Sequence, residues 1–225
     1  MTKLPQSARF ISFEGIDGCG KSTILAQLST WLEEAGIAHI RTREPGGTRL
    51  GESLRTILLD PANAGMSSWT EALLYGASRA QHVKDVIEPT LRSGAWVLSD
   101  RYVDATIAYQ GYGRGLDPQG LHRIHEWTTA GTWPHCTILL NCDIVTAFER
   151  MRGRSGAPDR LEQQDSAFHE RVRAGYLALA EAEPNRFLVL DASRPLEEVV
   201  SEFQRRIGER FGIPWKVGGP AGPRT

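Results

Sequence analysis

Gly15-Ile-Asp-Gly-Cys-Gly-Lys-Ser22 places three glycines ahead of a lysine and a hydroxyl, in the spacing G-x-x-x-x-G-K-[ST]. Glycines let successive backbone N–H groups converge on phosphate oxygens with no Cβ in the way, and a helix that begins behind them adds its dipole. In such a loop Lys21 bridges the β- and γ-phosphates of ATP, and Ser22 holds Mg2+ through its hydroxyl. Gly15, Ile16, Asp17, Gly18, Cys19, Gly20, Lys21, Ser22 and Thr23 are therefore expected around the nucleotide phosphates. Lys21 is expected to be exposed, and Cys19 to be a small loop filler, because no activating environment for a thiol is visible.

A second carboxylate, Asp100, ends the hydrophobic run Ala95-Trp-Val-Leu-Ser. There it can join Ser22 in binding the metal, or it can cap the helix that follows. Arg43, Arg79 and Arg101 fall at or near strand ends or on a helix that can face them. Singly each reads as a surface arginine; together their planar forks suit a monophosphate. The run Arg150-Met-Arg-Gly-Arg154-Ser-Gly-Ala-Pro-Asp-Arg160 is dense in positive charge and broken by Gly and Pro. It reads as a solvated basic loop or, with ATP implied, as a mobile lid over about 150–161 that brings Arg154 and Arg160 to the transferred phosphate.

These groups need a scaffold that gathers strand ends. Short apolar runs at 10–14, 37–42, 95–99, 137–141 and 186–191 read as strands, and 21–35, 49–59 and 68–93 read as helical. Strands alternating with helices predict an α/β fold with a parallel five-stranded sheet covered on both faces. One domain over 1–212 is expected, followed by a loose Pro- and Gly-rich tail over 213–225.

A net charge of −1 and a pI near 6.6 offer no broad basic field for a nucleic acid polymer. Three cysteines are too few for a disulfide framework and lack the spacing of a zinc site. MTKLPQSARF has no apolar core, and no run approaches the 18 or so apolar residues of a membrane span. A soluble, cytoplasmic protein is expected.

FEGIDGCGKST, TREPGGT, LLYGASR ending on Arg79, DRY followed by Ala-Tyr109-Gln110, and Asp159-Arg160 with Glu162 together resemble thymidylate kinase, in that family's order from about residue 9 to 212. The resemblance implies the P-loop NTPase fold, transfer of the γ-phosphate of ATP to dTMP, and a homodimer. It implies that Asp17 approaches the 3′-hydroxyl, Arg43 and Arg101 clamp the acceptor phosphate, and Arg79 reads the thymine edge. Thr106 and Gln110 then line the base pocket, and Tyr109 lies under the deoxyribose and leaves no space for a 2′-hydroxyl. Tyr75 stands where the family usually has the Phe that stacks on thymine. Gly18 and the arginine-bearing lid match the bacterial subtype.

Overall fold

A computed structural model describes residues 8–153 and 157–213. The expected parallel sheet is present: β1 (Phe10–Glu14), β2 (His39–Arg43), β3 (Trp96–Asp100), β4 (Cys136–Asn141) and β5 (Phe187–Asp191), in the order β2-β3-β1-β4-β5. Every residue of β1 is buried, the polar Ser12 and Glu14 as well as Phe10, Ile11 and Phe13, as in a central strand covered on both faces. Ile11 and Phe13 of β1 join one core with Leu28 and Leu32 of α1 (Lys21–Glu34) and Phe203 and Ile207 of α9 (Leu196–Phe211). A second, smaller core joins Phe10 and Val97 to Val83, Ile87 and Leu91.

The second strand starts two residues later than its hydrophobic pattern predicts. Gly36 adopts φ 67°, and Ile37 returns its N–H to Leu32 O at 2.8 Å while Gly36 N reaches Glu33 O at 3.0 Å. That pair of hydrogen bonds closes α1 and holds Ile37 against its last turn, so strand pairing begins only at His39. The predicted 68–93 helix is interrupted as well. It runs as α3 (Ser68–His82), a wider π turn over Val83–Ile87, and α4 (Glu88–Arg92). Pro89 has no N–H to return toward Asp85, and the ladder opens just before it.

Among the described residues the remaining α-helices are α2 (Arg49–Leu59), α5 (Val103–Thr106) prolonged by wide turns over Ile107–Gly113, α6 (Pro118–Thr129), α7 (Ile144–Arg152) and α8 (Ser166–Ala182). Ile213, expected in the tail, is 6% exposed and belongs to the main core. The rest of the expected tail, 214–225, lies outside the described residues, as do residues 154–156 of the expected lid.

Because β3 lies between β2 and β1, the turns after all three strands emerge side by side. Arg43 and Phe13 both register with Asp100. Three chain-distant segments, 15–20, 43–48 and 100–106, thereby meet at one carboxyl edge.

Candidate active site

The glycine loop joins β1 to α1, as its motif requires. Gly15, Gly18 and Gly20 have φ of 133°, 84° and 98°. A Cβ on Gly15 would stand 2.5 Å from Leu140 O, and one on Gly18 would stand 2.2 Å from Ala147 O, so both positions demand glycine twice over. Lys21 is 7% exposed, contrary to expectation. Its ammonium donates to Gly15 O at 3.1 Å and Ile16 O at 3.0 Å and lies 3.6 Å from Asp17 Oδ1, so the loop wraps its own cation. Cys19 is buried within the loop, and burial raises its thiol pKa, which fits a filler.

Ser22 Oγ donates to Asp100 Oδ2 at 3.4 Å. Asp100 does not cap the next helix: α5 begins at Val103 behind Tyr102, with no side-chain cap bond.

Arg101 is the most constrained residue of the edge. Its φ of 70° is a left-handed conformation that a non-glycine residue adopts at about 1–2 kcal/mol. The conformation is held by its own N–H to Phe13 O at 3.0 Å, by Ser99 Oγ donating to Arg101 O at 2.7 Å, and by Tyr102 N donating to Glu14 Oε1 at 2.7 Å. The guanidinium then donates to Gly15 O, Tyr176 O–H, Asp17 Oδ1 and Tyr109 O–H at 2.7–3.1 Å. Burial pushes the Asp17 carboxyl up, but the charges of Arg101 and Lys21 outweigh it and hold it well below the usual range. Beneath it Glu14 is fully buried; burial and nearby Asp104 push its carboxyl up to about 8.

Asp17, Tyr75, Arg101, Thr106, Tyr109 and Gln110 line one cleft of about 470 Å³, together with Glu44, Pro45, Arg55, Leu59, Ala105, Asp159 and Leu161. Arg79 lies behind its wall, 1% exposed, donating to Thr106 Oγ1 at 3.0 Å, Tyr102 O at 3.1 Å and Glu44 Oε2 at 2.8 Å. Glu44 Oε1 in turn accepts from His82 Nδ1 at 3.0 Å. Burial and Arg79 push His125 down to about 2, so its neutral Nδ1 accepts from Arg79 at 3.4 Å. Arg43 is not among the residues lining the cleft; its side chain is 54% exposed and pairs with Glu52 at 2.9 Å.

Arg160 does not stand as a swinging lid residue. It is 2% exposed, donates Nε to Leu58 O at 2.7 Å, and pairs with Glu71 at 2.5 Å. The reason is local: Asp159 Oδ1 accepts from Leu161 N and Glu162 N, turning the chain inward against α2. Arg154 lies outside the described residues.

Sequence reasoning missed Glu14, Glu44, Arg55, Glu71, His82, Arg114 and Tyr176 as supports of the site. Glu14 stood inside the quoted FEGIDGCGKST block and Glu44 inside the TREPGGT turn, and these two had a local signal.

A phosphate loop, an oxygen pair at Ser22 and Asp100, and an arginine-bearing cleft on one sheet edge define a P-loop phosphotransferase acting on a second small molecule. The family model for thymidylate kinase matches residues 13–203. The chain is 46% identical to the thymidylate kinase of Oleidesulfovibrio alaskensis over 91% of this chain and 99% of that one. It is 50% identical to the thymidylate kinase of Deinococcus radiodurans over 89% and 97%. A crystal structure of thymidylate kinase from Ehrlichia chaffeensis superposes with a TM-score of 0.71 at 32% identity, covering 89% of this chain and 98% of that one. The chain belongs to the thymidylate kinase family, the ATP-dependent phosphotransferases that convert dTMP to dTDP.

Proposed function

We propose that this chain binds ATP on the 15–23 loop and dTMP in the adjoining cleft, and passes the γ-phosphate directly between them. The observation that carries the reading is Asp17, which belongs to the phosphate loop and also lines the cleft, so donor and acceptor sites share a wall. Transfer between two phosphates needs in-line placement and charge neutralisation rather than a general base, since the second pKa of a phosphate monoester is about 6. Lys21 and Arg101 supply fixed positive charge at that wall, and Arg154 is assigned the remainder. Arg101 holds the acceptor phosphate, and Arg43 joins it only on leaving Glu52; Thr106 faces the thymine edge with Arg79 bonded behind it, and Tyr75 stacks on the ring. Arg160 is assigned a supporting role behind the cleft, where its bonds to Leu58 O and Leu59 O hold the 157–163 segment against α2 and its pair with Glu71 ties that segment to α3.

Ser22 and Asp100 fit Mg2+. A hydroxyl and a carboxylate are hard oxygen donors, and Mg2+ takes few protein ligands beside phosphates and water. Among the described residues no group of three His, Cys, Asp or Glu is arranged for a metal, which suits an ion that enters with the nucleotide. When bound, Mg2+ neutralises phosphate charge.

No helix among the described residues is long and apolar enough to cross a membrane. Free, buried Cys19, Cys136 and Cys142 support a reducing, cytoplasmic setting. Leu73 on α3 and Trp127 on α6, 56% and 78% exposed, support the homodimer that the resemblance implies, and light scattering of the purified protein tests it.

A coupled ADP-release assay with ATP and Mg2+ across the ribo- and deoxynucleoside monophosphates tests the function. dTMP is expected to give the largest kcat/KM. ADP release that ignores the added monophosphate would reduce the chain to an ATPase.

Tyr109 supplies a further test. Its O–H donates to Asp17 Oδ2 at 3.2 Å and accepts from Arg101, while its ring packs edge-on against Phe168 and Tyr176. Such a ring is a rigid floor for a sugar. Tyr109→Ala is expected to lower the preference for dTMP over its ribonucleotide by about tenfold, as expected for loss of one steric contact. An unchanged ratio removes Tyr109 from sugar selection.

A further inference from the structure

Glu71 on α3 is fully buried and accepts from three side chains at once. Oε1 takes Gln110 Nε2 at 2.7 Å and Arg114 Nε at 3.3 Å; Oε2 takes Arg114 Nη2 at 3.2 Å and Arg160 Nη1 at 2.5 Å. Burial pushes its carboxyl up, but hydrogen bonds from Arg114 and Gln110, with the charges of Arg114 and Arg160, outweigh burial and hold it below the usual range. At neutral pH it is an ionised, acceptor-only group.

The consequence falls on Gln110. Its amide carries donors on one side and an acceptor on the other, and the two are interchanged by a half-turn. Turned over, Gln110 would set its oxygen against a carboxylate oxygen at the same separation, two acceptors with no hydrogen between them. An unmade pair of that kind in a buried site is strongly disfavoured. The amide is therefore held with Nε2 on Glu71, and its Oε1 is left as the acceptor that Gln110 brings to the cleft it lines. A pyrimidine with a ring N3–H matches that oxygen; a pyrimidine whose N3 is itself an acceptor opposes it.

We propose that Glu71 is a positioning residue for base selectivity: by pinning the Gln110 amide it sets the cleft for a 2,4-dioxopyrimidine nucleotide and against an aminopyrimidine one. This rests on the reading of the cleft as the dTMP site. The carboxylate is itself held in place from outside. Arg160 ties it to Leu58 O, and Arg114 Nη1 donates to Gln164 Oε1 at 2.7 Å. Through these bonds the 157–164 segment bears on base choice.

The test compares kcat/KM for dTMP, dUMP and dCMP in the wild type, Glu71→Gln, Glu71→Asp and Gln110→Leu. An amide at position 71 donates as well as accepts, so Gln110 is free to turn. The dTMP:dCMP ratio is expected to fall about tenfold or more in Glu71→Gln, toward the value of Gln110→Leu, in keeping with the selectivity of sites built on one hydrogen bond. Glu71→Asp keeps the charge for both arginines but withdraws from Gln110, and is expected to lose part of the ratio. The dTMP:dUMP ratio depends on the ring methyl and is expected to stay unchanged, which general loosening of the cleft would not spare. Should Glu71→Gln fail to fold, Glu71→Asp decides. A folded Glu71 variant with the wild-type dTMP:dCMP ratio, or an unchanged ratio in Gln110→Leu, overturns the inference. Equal use of dTMP and dCMP by the wild type would instead overturn the reading of the cleft.

Discussion

Lys21→Ala is expected to lower kcat by about 10³-fold or more, the scale on which positive charge at a transferring phosphoryl group acts. The ammonium is already placed by Gly15 O and Ile16 O, so its attraction for phosphate needs little rearrangement of the loop. Stability is expected to change much less. Alanine suits the first position of α1, and Gly15 O keeps its bond from Arg101 while Ile16 O loses its lysine donor, a loss of about 1 kcal/mol. For a chain of this size that is a fall of about 2–4 °C in Tm. Turnover measured alongside thermal melting separates the two effects. A folded variant within tenfold of wild-type kcat would remove the loop lysine from the mechanism.

Arg101→Ala is expected to be the second most damaging change, with kcat/KM for dTMP down by about 10³-fold, because one guanidinium both serves the acceptor phosphate and locks the cleft wall. Its loss takes one donor from each of Asp17, Tyr109 and Tyr176 together. The pH dependence has a definite sign. Asp17 has a depressed folded pKa, so its contribution to stability is present above its unfolded value of about 4 and is lost as pH falls through the folded value. The Tm difference between wild type and Arg101→Ala should thus be full at pH 7 and shrink below about pH 4. Arg101→Gly is expected to melt above Arg101→Ala, since only glycine takes φ 70° without strain. If both variants melt alike and Tm differences ignore pH, the left-handed backbone and the Asp17 pair are not what holds this edge. The Arg79 network offers a contrast: it lies behind Thr106, and Glu44 and His82 brace it from the turn after β2 and from α3.

What could be read from the chain alone was whatever a contiguous run spells out. The glycine loop is one: its φ values and missing Cβ atoms are demanded within eight residues, and the flanking strand and helix follow from local pattern. The five parallel strands were legible because each is a short apolar run between helical stretches, and boundary errors arose where a local bond intervened, as Ile37 N does at the end of α1. Asp100 and Arg101 were legible because they end such a run. Their partners were not. Arg101 reaches Gly15, Asp17 and Tyr176 across 86, 84 and 75 residues, and Glu14 meets Tyr176 across 162. Those contacts exist because the strand order β2-β3-β1-β4-β5 sets the 15–20 and 100–106 segments side by side and packs α8 over both, and no local spacing encodes that order. The same holds for Glu71, Gln110, Arg114 and Arg160. The resemblance places Gln110 in the base pocket and the basic run places Arg160 in the lid, while Glu71 and Arg114 draw no reading; only burial makes the carboxylate's pairing obligatory, because an ionised group without water must take its donors from whatever the tertiary structure brings within reach. Sequence alone thus determined the phosphate chemistry and the scaffold that presents it. The tertiary structure decided which charges hold one another in place, and so which arginine is a strut and which is left for the substrate.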